Sequence, residues 1–176
     1  MLTLRFKKTL ESDATLTLER SDGSSTWARI GSGKGVGALR DIARVVVERQ
    51  LMLANGILGQ VTLGASLTDM ESLIARSHTD ALLGDVIAGM LVSEVQTRRL
   101  VPLDAFNATV QERCATLLPG FRAPDLTPLM IHAIRSEFTR LRREWEALEP
   151  GATLELRFGR AMPRAGDRDG TAGSSS

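Results

Sequence analysis

The sequence predicts an α+β fold: a small antiparallel sheet, made of an N-terminal three-strand meander and a C-terminal strand, carrying a layer of about five helices. Three observations carry this. Period-two alternation appears at both ends of the chain, everything between reads at helical spacing, and a lone terminal strand must pair with the distant meander.

Leu2, Leu4 and Phe6 alternate with Thr3, Arg5 and Lys7, and Leu16 and Leu18 alternate with Thr15, Thr17 and Glu19. One polar face and one apolar face mark half-buried antiparallel strands. Asp22-Gly23 supplies a turn, and Thr26 to Ile30 makes the third strand. After Pro150-Gly151, residues 153–158 alternate again, and beside the first strand Glu155 would face Arg5 or Lys7 across the ladder.

The first helix is expected over 36–53. A capping box at Thr68-Asp69-Met70-Glu71 opens a short second helix, and a third runs from Ser77–Asp80 to about Arg99. Pro102 suits the first turn of a fourth helix carrying Phe106, Val110 and Cys114. Thr127-Pro128, an N-cap followed by an N1 proline, starts a fifth that reaches about Leu148. This gives one α+β domain over 1–160. Residues 161–176, rich in Gly, Ser, Arg and Asp, are expected to be a disordered tail.

Composition removes several function classes. A net charge of +1 gives no field for capturing nucleic acid or anionic lipid, and seven aromatics are too few for a stacking platform. No apolar run approaches the ~20 residues of a membrane helix, and early basic residues interrupt any leader core. One cysteine excludes a disulfide framework and points to a reducing, cytoplasmic setting.

Gly31 to Ala38 lies between strand and helix, but it lacks Walker A spacing and a βαβ context, so it reads as a connector rather than a phosphate cradle. His78 and His132 are far apart and have no second ligand at i+3 or i+4, so no metal site is expected. Cys114 falls on the apolar side of its helix as a buried thiol, and no catalytic constellation or cofactor motif emerges. Gly84, Ala88 and Gly89 would let the third helix approach the first closely.

The last helix carries Ile131, Ile134, Phe138, Leu141 and Trp145 at spacings of three and four. Such a stripe serves either a core or a homodimer seam, and one helix of sequence does not separate the two. On the first helix, Arg40 and Arg44 are like charges one turn apart, with Glu48 one turn beyond and able to pair with Arg44. Asp85, on the third helix, is the acid placed to approach both arginines from outside.

Around this helix the chain resembles a family of uncharacterised bacterial proteins. There a hairpin with D-G-S-x-x-W precedes a helix of the form H-D-L-x-H-x-x-V-E, followed by a G-x-x-G turn. The matching residues are Asp22-Gly23-Ser24 with Trp27, Asp41-Ile42, Val47-Glu48, then Gly56, Gly59 and Gly64, with Asp85 to Gly89 further on. Both motif histidines fall on Arg40 and Arg44. If the resemblance implies a metal site in the relatives, guanidinium groups, always protonated, would not hold it here.

Two functional expectations follow. The first is a non-catalytic cytoplasmic interaction domain that self-associates. The second is an enzyme or small-anion binder whose pocket lies near Arg40, Arg44 and Asp85, with Glu48 or Asp85 as acid/base. An acid/base site should show perturbed carboxylates in a cleft, whereas an interaction domain should show exposed apolar surface.

Overall fold

A computed structural model describes residues 1–9, 14–31, 37–67 and 79–159. The capping box at 68–71, His78, the Gly-rich residues 32–36 and the expected tail 161–176 lie outside these described residues.

The fold is α+β. Strands β1 (Leu2–Lys8), β2 (Ala14–Arg20), β3 (Ser25–Ile30) and β4 (Thr153–Phe158) form one antiparallel sheet in the order β3-β2-β1-β4. The alternation dictates the burial. Leu2, Leu4, Phe6, Leu16, Leu18, Leu154 and Leu156 are buried on one face, while Arg5, Thr17 and Glu155 line up on the other. The register places Arg5 opposite Glu155, and its guanidinium bonds Glu155 and Glu19 on either side. That ladder of alternating charge spans three strands on the solvent face.

The described helices are α1 (Gly37–Gln50), α2 (Ile57–Thr62), α3 (Thr79–Thr97), α4 (Leu103–Leu117) and α5 (Pro128–Ala147). Helix α1 lies at the centre of the layer, against both α3 and α5. It stops where Met52 enters the left-handed region at φ 53°. Helix α3 is buried on most sides, which explains its near-continuous apolar sequence. Helix α5 begins as its sequence dictates: the Thr127 hydroxyl accepts from the Met130 amide at 3.2 Å, and Pro128 occupies the first turn.

The stripe on α5 resolves toward the core. Ile131, Ile134, Phe138, Leu141 and Trp145 are all buried within the chain, and Trp145 meets Phe6 of the sheet edge-to-face. Lys8 fastens the same corner, donating to the carbonyls of Trp145, Glu146 and Leu148 at the end of α5. These five side chains are therefore spent on packing within the single chain. His132 stands exposed on α5, and Cys114 is buried.

Candidate functional site

The centre of α1 holds an unusual set of buried charges. The helix packs on the sheet and on α3 and α5, so Arg44 and Glu48 are drawn into the interior with Ile42, Val45, Val46 and Val47. Buried guanidinium requires acids nearby. Arg44 has them: Nη1 donates to Asp41 one turn back, and Nη2 donates to Asp85 Oδ1 at 2.6 Å from α3. Arg40 reaches the same Asp85, with Nη2 at 2.6 Å from Oδ2 and Nε at 3.3 Å from Oδ1. One carboxylate thus bridges two guanidinium groups, and two arginines are balanced by two aspartates.

Exposure grades the network. The Arg44 side chain is 7% exposed and Asp85 17%, whereas Arg40 is 47% exposed. Burial raises the Asp85 carboxyl, but Arg44 and Arg40 together outweigh it and hold it below its ordinary value. For Asp41 burial wins, and its carboxyl lies above the usual range despite Arg44. Burial alone would lower the Arg44 guanidinium, yet Asp41 and Asp85 more than compensate and keep it charged.

Glu48 departs from the expected pairing. It makes no ion pair with Arg44. Its carboxylate turns instead to the start of α2, where Oε1 accepts from the Ile57 amide and Oε2 from the Leu58 amide, both at 2.9 Å. Gly56, the residue preceding α2, offers no side-chain cap, and Glu48 satisfies these helix-end donors from a distance. The approach is tight. A Cβ on Gly56 would lie 2.3 Å from Glu48 Oε2, and one on Gly84 would lie 3.4 Å from Glu48 Cγ. Burial pushes the Glu48 carboxyl up to about 7, against the pull of the α2 amides and Arg44.

The expected site residues therefore separate into two groups. Arg40, Arg44 and Asp85 converge, joined by Asp41, while Glu48 serves the backbone. The cluster borders a groove of about 680 Å³ where Arg40 and Asp85 meet Gly89 of α3 and Thr109, Arg113 and Leu117 of α4. Only Arg40 presents much of its side chain there. Among the described residues, no three His, Cys, Asp or Glu side chains converge as metal ligands.

A second buried acid was not anticipated from the sequence. Glu94, near the end of α3, accepts from the Val101 amide at 2.9 Å and from Arg135 of α5, whose Nη2 also reaches the Val101 carbonyl at 2.7 Å. Arg135 lies over the Phe106 ring, 5.4 Å from its centroid. The available signal was an acid inside the apolar run Leu91 to Val95, and an arginine beside the apolar stripe of α5.

Beyond this second staple lies a groove of about 810 Å³, where Leu100 and Leu103 face Pro128, Ile131 and His132 of α5. Leu100 is exposed in its wall. Among the described residues, no helix is long and apolar enough to cross a membrane. Comparison with protein-family models, with curated proteins and with solved structures finds no match.

Proposed function

We propose that this chain is a non-catalytic cytoplasmic interaction domain that works through protein contacts, self-association among them. The observation that carries the reading is the apolar rim of the groove at the start of α5. Leu100 is 68% exposed there, on a concave surface lined by Leu103, Pro128 and Ile131 together with polar and charged side chains of α5. Clustered apolar surface of this kind costs free energy in water and is stabilised by a partner.

The charge cluster supports the same reading. An anion site needs a cation with spare donors, and Arg44 is buried with both terminal nitrogens committed to Asp41 and Asp85. An acid/base site needs a carboxylate open to substrate, and Glu48, the one acid raised to about 7, is fully buried against backbone. The buried charges staple α1 to α3 and α2, and Arg40 alone of the cluster reaches well into the α3–α4 groove.

Sedimentation equilibrium of the full chain over a wide concentration range, paired with calorimetric titration of inorganic phosphate, tests this. The expected result is an average mass that rises above the 19.1 kDa monomer with concentration, with no saturable phosphate binding. A monomer throughout, with saturable phosphate binding lost in Arg40→Ala, would overturn the reading in favour of an anion site in the α3–α4 groove.

A further inference from the structure

The two edges of the sheet differ. Segment 65–67 closes on β3: the Leu67 amide donates to Thr26 Oγ1 at 3.1 Å, Ser66 Oγ lies 3.2 Å from it, and Arg20 ties down the Val61 and Ala65 carbonyls. Among the described residues, strand β4 pairs with β1 on one side only. The Lys8 amide donates to the Ala152 carbonyl at 2.9 Å, which fixes the phase of the antiparallel ladder. Backbone groups of Leu154, Leu156 and Phe158 then point toward β1, and those of Thr153, Glu155 and Arg157 point outward. An outward row of unpaired N–H and C=O groups is a template for another strand.

We infer that β4 pairs antiparallel with β4 of a second copy of this chain, about a two-fold axis at Leu156, to form a continuous eight-stranded sheet. The inference rests on the proposed self-association and assigns it to the sheet edge, leaving the α5 groove to other protein contacts.

Charge complementarity selects both the partner and the register. Centred on Leu156, antiparallel pairing sets Glu155 opposite Arg157 of the second copy, twice by symmetry. The outward backbone groups of these two residues exchange both ladder bonds. On the other face, Leu154 meets Phe158 of the second copy, so the apolar faces of the two sheets join. Shifting the centre to Glu155 or to Arg157 would set like charges opposite each other, and a shift by one residue would put apolar side chains on the solvent face. Charges of a single sign along an edge repel a second edge; Glu155 followed two residues later by Arg157 attracts its own image. Both side chains are exposed, and Glu155 uses Oε2 for Arg5 at 3.1 Å, which holds it upright on the strand. A two-fold β4–β4 contact also closes on itself, whereas a β4–β3 contact would propagate into a filament.

The test is a charge-swap mixture, read by sedimentation equilibrium on the full chain. Glu155→Arg alone opposes arginines across the axis, and Arg157→Glu alone opposes glutamates. Each variant is expected to dimerise at least ~10-fold more weakly than the natural chain. Mixed in equal amounts, they present only Glu–Arg pairs across the strand, and a heterodimer of near-natural affinity is expected. Independently of any variant, amide exchange at Glu155 and Arg157 in the natural chain should slow as concentration rises, because these amides become ladder donors. If the natural chain dimerises while neither variant nor the mixture changes its affinity, or these amides exchange at the same rate in the dimer, β4 is overturned as the interface and self-association stands on another surface. A natural chain that stays monomeric overturns β4 pairing together with self-association itself.

Discussion

The substitution Asp85→Ala isolates the bridge between α1 and α3. Removing this carboxylate takes two bonds from Arg40 and one from Arg44. The two losses differ in weight. Arg40 is half exposed and can turn to water, so its share is that of a surface pair, ~0–1 kcal/mol. Arg44 has no such exit: it is held between α1, α3 and the sheet, and its Nε already lacks a partner. Stripping one partner from a buried ion pair costs ~3–5 kcal/mol. Because Asp41 remains on Nη1, the lower part of that range applies, and a total of ~3–4 kcal/mol is expected. At a urea slope of ~2–3 kcal/mol/M, the midpoint should fall by roughly 1 M. Equilibrium urea unfolding at pH 7 measures this directly, and Asp85→Ala in an Arg40→Ala background separates the two arginines. A loss below ~0.5 kcal/mol, within the range of ordinary surface substitutions, would show that water reaches Arg44 freely and would refute the staple.

Glu48 predicts a pH dependence of unusual sign. An acid whose carboxyl is raised to about 7 in the fold binds more protons folded than unfolded between about 4.5 and 7. Stability should therefore fall as pH rises through that window and level off above it, with a maximal slope of ~1.4 kcal/mol per pH unit. In Glu48→Gln, denaturant unfolding between pH 5 and 8 should show this component gone; an unchanged profile would assign it elsewhere. Gly56→Ala places a Cβ where Glu48 Oε2 lies and should cost ~1–3 kcal/mol, seen as a lowered melting temperature, while Gly64→Ala should show only the strain of its positive φ.

What was legible in the sequence is what local physics controls. Alternation over 2–8, 14–20 and 153–158 placed the strands, and the inward-facing leucines were the correct ones. Thr127-Pro128 set the start of α5 because its cap is local. Helix α2 escaped notice for the opposite reason. Its six residues, bounded by Gly56 and Leu63, have no capping side chain of their own; their cap arrives from Glu48 through the tertiary fold. The same fact misled the reading of Glu48, since i,i+4 spacing from Arg44 suggests a pair and says nothing of a distant helix end. Spacing did place Asp85 near Arg40 and Arg44, because two small residues, Gly84 and Gly89, flank it where α3 meets α1. The α5 stripe remained ambiguous in the sequence because a core and a seam demand the same residues; in the fold all five are buried, with Trp145 against Phe6.

The strand order carries a consequence for how the chain is made. β1 belongs in the middle of the sheet, yet one of its neighbours is β4, and the Arg5–Glu155 contact closes a loop of 150 residues. During synthesis the meander of β1, β2 and β3 emerges first, with an uncovered side of β1 and no helices beneath Leu2, Leu4 and Phe6. The helical layer is then translated, and only afterwards can β4 fill the vacant side of β1. While the helical layer is being translated, the nascent chain therefore carries an open strand edge and an unroofed apolar face, the state in which a chain is most exposed to mispairing with its neighbours on a polysome.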